Sequence, residues 1–79
     1  MSEHLASLVV HVRPEYETGA CAAIAAMGGE IHAAHGGKLV VTLEAPDEAA
    51  IAEAMTRMTL LDGVFSAALV FHHHDGAPP

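Results

Sequence analysis

An α+β sandwich, in which a four-stranded antiparallel sheet carries two helices on one face, is the fold class this sequence predicts. Three observations lead there. Apolar residues alternate with period two in segments near both ends of the chain and in its middle. Two stretches between them repeat with helical spacing instead. Glycine pairs, a proline and an Asp-Gly step separate the segments at the places where the chain must turn. With 79 residues the chain is long enough for one small domain, taken as 1–79 with its core at about 5–74 and residues 75–79 as a frayed tail.

The first strand is Leu5 to Arg13, with Leu8, Val10 and Val12 on one side and Ser7, Val9 and His11 on the other. Pro14 ends it and suits the first turn of a helix. That helix is expected from about Glu15 to Met27, because Tyr16, Ala20, Ile24 and Met27 recur at spacings of four, four and three, and Gly28-Gly29 stops it. Glu30–His35 is a second strand. Gly36-Gly37 joins it as a hairpin to Lys38–Glu44, whose Leu39, Val41 and Leu43 share one face while Val40, Thr42 and Glu44 share the other. Asp47 is a natural N-cap for a second helix, Glu48 to about Met58, striped by Ile51, Met55 and Met58. Asp62-Gly63 turns into the last strand, Val64 to about His73. The order is β-α-β-β-α-β, the ferredoxin-like split βαβ pattern, and right-handed crossovers place both helices on the same side.

Strict alternation then assigns the faces. Phe65, Leu69 and Phe71 are expected under the helices with Leu8, Val10, Val12, Leu39, Val41 and Leu43. The open face is expected to carry Ser7, Val9, His11, Val40, Thr42, Ser66, Ala68, Val70 and His72, with no Lys or Arg. Such a face is smoother and less charged than most solvated sheet surfaces. It reads either as a plain exposed surface, as a dimer contact, or as a seat for an apolar segment with a basic flank.

Composition narrows the partners. Ten acidic residues face three basic ones, a formal charge of −7, which leaves too few Lys and Arg to cluster on a phosphate backbone. No nucleic-acid partner is expected, an anionic membrane surface is a poor partner, and a cationic partner suits the field better. The apolar runs are too short to insert in a bilayer. A single cysteine, Cys21, makes no internal disulfide, and the opening Met-Ser-Glu-His lacks a basic leader, so a cytoplasmic location is expected.

Chemistry-bearing clusters are sparse. His72-His73-His74, with His11 on a neighbouring strand, is the metal suspect, yet no Cys or carboxylate is spaced to complete a site, and no metal or cofactor is assigned. Cys21 sits in an Ala-rich stretch without a neighbouring base. There is no P-loop, GxGxxG, HExxH or GxSxG, and with no Asn in the chain the phosphate cradle of a small acylphosphatase cannot be built. The sequence does not describe an enzyme.

Ser7-Leu-Val-Val10, Lys38-Leu-Val-Val-Thr-Leu-Glu44, and Leu61-Asp-Gly-Val64 leading to Ala68-Leu-Val-Phe-His-His73 together resemble the NapD family. Its members are small cytoplasmic assembly chaperones of periplasmic nitrate reductase. The resemblance implies a ferredoxin-like protein that binds the twin-arginine signal peptide of the catalytic subunit NapA as a helix against its sheet, restraining export until cofactor insertion is complete. It implies no cofactor in this chain. Ser7 and Val9, with Ala68, Val70 and His72, are the matching peptide-binding positions; Val40 and Thr42 face them on the neighbouring strand, and His11 lies on the same face. Glu44, with Asp62 or Glu30, is a candidate to meet the arginine pair. A monomer or weak homodimer is expected. The competing readings are an ACT-like regulatory dimer that binds a small ligand near Gly28-Gly29 or Gly36-Gly37, and a metal carrier using His72 to His74.

Overall fold

A computed structural model describes the backbone from Glu3 to Asp75 and the side chains from residue 4 to 73. The strands are β1 (Glu3–Val12), β2 (Glu30–His35), β3 (Lys38–Ala45) and β4 (Val64–Asp75), and the helices are α1 (Glu17–Ala26) and α2 (Glu48–Thr59). They form one four-stranded sheet in the order β2-β3-β1-β4, with every neighbouring pair antiparallel. This is the expected α+β architecture. The expected frayed tail falls on residues 76–79, outside the described chain, apart from Asp75, which ends β4 paired with Glu3.

The helix boundaries follow from capping. Arg13 offers no side-chain cap, so Pro14–Tyr16 forms a single 3₁₀ turn and α1 begins at Glu17 rather than Glu15. Asp47 caps α2 as its side chain predicts, its Oδ1 accepting from the Ala50 N–H at 2.8 Å. Glu48 in the first turn and Arg57 in the last complement the helix dipole.

The core lies between helices and sheet. Ala6, Leu8, Val10 and Val12 of β1 and Leu39, Val41 and Ala45 of β3 are buried in one cluster with Ala20 and Ile24 of α1 and Ile51 and Met58 of α2, and Leu43 of β3 is buried as well. Each of these strands hides every second side chain, as one-sided burial demands. Cys21 packs half-buried at the margin of this cluster.

β4 departs from strict alternation. Its pairing with β1 slips between Ser7 and Leu8 and again between His11 and Val12. Phe65 and Val70 are the extra residues, each a β-bulge, and each bulge inverts the parity of the strand residues beyond it. Ala67 and Leu69 pair with Val10 and Leu8 on the helix side, while Ser66 and Ala68 pair with His11 and Val9 on the open side, as expected. Outside that run the expectation fails. Val64 pairs with Val12 on the helix side and packs against the core. Phe71 pairs with Ser7 on the open face, 53% exposed, and His72 pairs with Ala6 on the helix face. Phe65 is exposed as well.

The β2–β3 hairpin is tied to the rest by Gly37. Its N–H donates to Glu17 Oε1 at 2.8 Å, and its carbonyl accepts from the Val12 N–H at 2.7 Å. With φ of 85° and a backbone position where a Cβ would overlap the Val12 carbonyl oxygen, only glycine fits; Gly36, at φ 59°, has open space around it. Gly36→Ala is expected to cost about 1–2 kcal/mol for the left-handed backbone alone. Gly37→Ala should cost clearly more, and urea unfolding of the two variants measures the difference. Burial pushes the Cys21 thiol up, and the Glu17 carboxylate one turn earlier adds to the shift. A raised pKa means less thiolate at a given pH, so Cys21 should react with iodoacetamide at pH 7.5 more slowly than free cysteine in a timed alkylation assay.

Candidate functional site

The open face is a grid of short rows across the sheet, given by the strand register. His35, Lys38, His11 and Ser66 form one row; Ala33, Val40, Val9 and Ala68 the next; Glu30, Thr42, Ser7 and Phe71 a third; Glu44, Leu5 and His73 a fourth. Neither helix covers it, because both pack on the other side. Ser7, Val9, Val40 and Thr42 are nonetheless only half-exposed, since neighbours on a pleated surface shield one another.

Of the residues expected to form a binding face, Ser7, Val9, His11, Val40, Thr42, Glu44 and Ala68 share this surface. Val70 is the bulged residue beside them, 60% exposed. His72 is not part of it: the bulge at Val70 turns it to the helix side, and Phe71 takes its place. The face also has a basic residue where none was expected, since Lys38 pairs with His11 at one end.

The rows grade in chemistry. The second row holds only alanine and valine, so an approaching backbone meets small side chains. Beyond it, Glu30 and Glu44 are diagonal neighbours on β2 and β3, at a spacing of about 7–8 Å in a regular sheet. Asp62 precedes β4 at the opposite, Lys38 end, away from these carboxylates. β2 carries a bulge of its own at His32, whose Nε2 lies 2.7 Å from Thr42 Oγ1 and 3.9 Å from Glu30 Oε1. That contact fixes the edge of the face.

Sequence reasoning missed Phe71 here and, on the other side of the sheet, His4. His4 is 8% exposed, and its Nδ1 lies 2.7 Å from His72 Nε2. Nothing in the local pattern links residues 68 positions apart; the pairing depends on the bulges, which the alternation does not encode.

Comparison with known proteins comes down on one family. A family model described as NapD protein matches residues 3–76. Chaperone NapD of Paracoccus pantotrophus is 35% identical over 69 residues, 86% of this chain. The chain spans 62% of that relative's length. The solution structure of the E. coli Tat proofreading chaperone protein NapD superposes with a TM-score of 0.80 at 24% identity, covering 98% of this chain and 84% of that one. At that identity the likeness is one of fold, and it bears out the ferredoxin-like reading. The relatives' names describe chaperones, a non-enzymatic role, in keeping with the lack of any catalytic motif in the sequence. With a family model matched over nearly its whole length, the chain belongs to the NapD family.

Proposed function

We propose that this protein is a cytoplasmic chaperone whose open sheet face binds the twin-arginine signal peptide of NapA, the periplasmic nitrate reductase catalytic subunit, restraining export until its cofactors are inserted. The observation that carries the reading is the gradient on that face: a row of Ala33, Val40, Val9 and Ala68 between a carboxylate end and a Lys38 end. A twin-arginine signal has the complementary order, a basic stretch followed by an apolar one. Membership of the NapD family and the proofreading title of the E. coli relative point the same way.

The gradient also gives the bound peptide a direction. As a helix, its arginines lie over Glu30 and Glu44, and its apolar body crosses Val9, Val40 and Ala68, with Ser7, Thr42, Phe71 and Val70 alongside. Its C-terminal end then reaches His11 and Lys38. Lys38 complements the negative end of a helix dipole, just as the carboxylates suit the positive end. Arginine–carboxylate pairs on an exposed face contribute orientation and association rate more than affinity. The chaperone acts as a monomer or weak homodimer, with one peptide per chain.

Titration calorimetry with a synthetic NapA signal peptide is expected to give saturable one-to-one binding that weakens with salt. Ala68→Glu should leave stability within about 0.5 kcal/mol, as an exposed substitution. It should weaken the peptide about tenfold or more, because an unpaired carboxylate is buried under it. Replacing Glu30 and Glu44 together by Gln should weaken binding about fivefold at low salt and flatten the salt dependence. A spin label at the peptide's N-terminus should broaden NMR signals of Leu5 and Glu44 rather than His11 and Ser66. If a folded sample does not bind the peptide, the chaperone reading fails and a ligand-binding dimer becomes the better account.

A further inference from the structure

The helix side of the sheet holds a second cluster, independent of the open face. His4 begins β1, His72 lies near the end of β4, and Glu48 is the first residue of α2. One ligand atom from each lies within 4.8 Å of the other two. The imidazoles meet nearly edge to edge, with ring centroids 4.9 Å apart and planes 25° from parallel. Their facing nitrogens are 2.7 Å apart, one donating and the other accepting. Three elements distant in sequence thus bring two imidazoles and a carboxylate to one point.

The surroundings favour a cation there. His4 is buried, so at least one donor is held by packing rather than by a mobile surface rotamer. Beside the cluster lies a cleft of about 240 Å³, lined by Glu48, Ile51, Ala52, Met55, Leu69 and His72, which leaves space for a further ligand. Among the described residues no basic side chain pairs with Glu48: Arg13 pairs with Glu15, Lys38 is on the opposite face, and Arg57 lies in the last turn of α2.

We infer that His4, His72 and Glu48 form a binding site for a divalent transition metal of the zinc type, with two imidazole nitrogens and one carboxylate oxygen as protein ligands. Nitrogen and oxygen donors of this kind suit Zn²⁺, and three protein ligands leave a fourth position open toward the cleft. Zinc–nitrogen bonds of about 2.0 Å at tetrahedral angles put the two nitrogens about 3.3 Å apart. The facing nitrogens, 2.7 Å apart without metal, therefore separate by about 0.6 Å as the metal replaces the shared proton. The bound ion ties one end of the β1–β4 pair, where β1 begins and β4 finishes, to the start of α2.

The test is calorimetric titration of the untagged full chain with Zn²⁺, alongside the visible spectrum with Co²⁺. One Zn²⁺ per chain and intense Co²⁺ absorption are expected. His72→Ala and Glu48→Gln should each weaken Zn²⁺ at least about tenfold, since losing even an outer partner of a metal site costs 10–100-fold. His73→Ala, on the other face of the same strand, should bind like the parent. His4→Gln should also lose binding; if it does not fold, as judged by circular dichroism, the His72 and Glu48 variants decide. The inference is overturned if no stoichiometric binding occurs. It is also overturned if Glu48→Gln binds like the parent, or if His73→Ala loses as much as His72→Ala, which would make the histidine run an unstructured chelator.

Discussion

Two helices are enough to cover one face of a four-stranded sheet and no more, and that one-sidedness governs the rest of the molecule. β1, in the interior of the sheet, shows it most plainly. Ala6, Leu8, Val10 and Val12 are buried, whereas Ser7, Val9 and His11 point to the uncovered side. Burial on one face supplies the stability of a small aliphatic core. It also frees the other face from packing duties, so its composition is set by solubility and by whatever comes to lie on it. Valine and alanine in the middle of such a face make sense against a partner and are poorly explained by water alone.

Most of this architecture was legible in the sequence because the signals were local. Alternation in β1 and β3, the Asp47 cap, and the glycine pairs each report on a few neighbouring residues, and each element formed where they pointed. The face assignments that failed in β4 share one cause. There the alternation gave Phe71 to the core and His72 to the open face, and a single bulged residue exchanged them. A bulge depends on how a strand meets its partner, and the strand's own sequence carries little trace of it. Lys38 is a simpler case: its parity matches Val40, which alone places it on the open face. The start of α1 moved because Arg13 supplies no cap, a fact visible in the sequence but outweighed there by Pro14.

The two sides of the sheet divide the protein's polar chemistry. The open face spreads His11, His32, His35 and His73 among small and apolar residues, with carboxylates at one end. On the helix face, two imidazoles and a carboxylate come together where β1, β4 and α2 meet, at His4, His72 and Glu48. The bulge at Val70 creates both arrangements at once, delivering Phe71 outward and His72 inward. The face proposed for a peptide and the site proposed for an ion therefore share no residues, although β4 contributes to both.

The bulges have a further consequence at the sheet's margin. β4 is an edge strand of twelve residues with Phe65, Leu69, Val70 and Phe71 all substantially exposed. Long, regular, apolar edges act as templates on which another copy adds its own strand, the first step toward fibrils. The bulges at Phe65 and Val70 cut this edge into regular runs of four residues, 66–69, and five, 71–75. Each bulge adds local twist and breaks the even spacing of free N–H and C=O groups. The irregularities that set the side-chain faces also make the exposed edge a poor template for self-assembly.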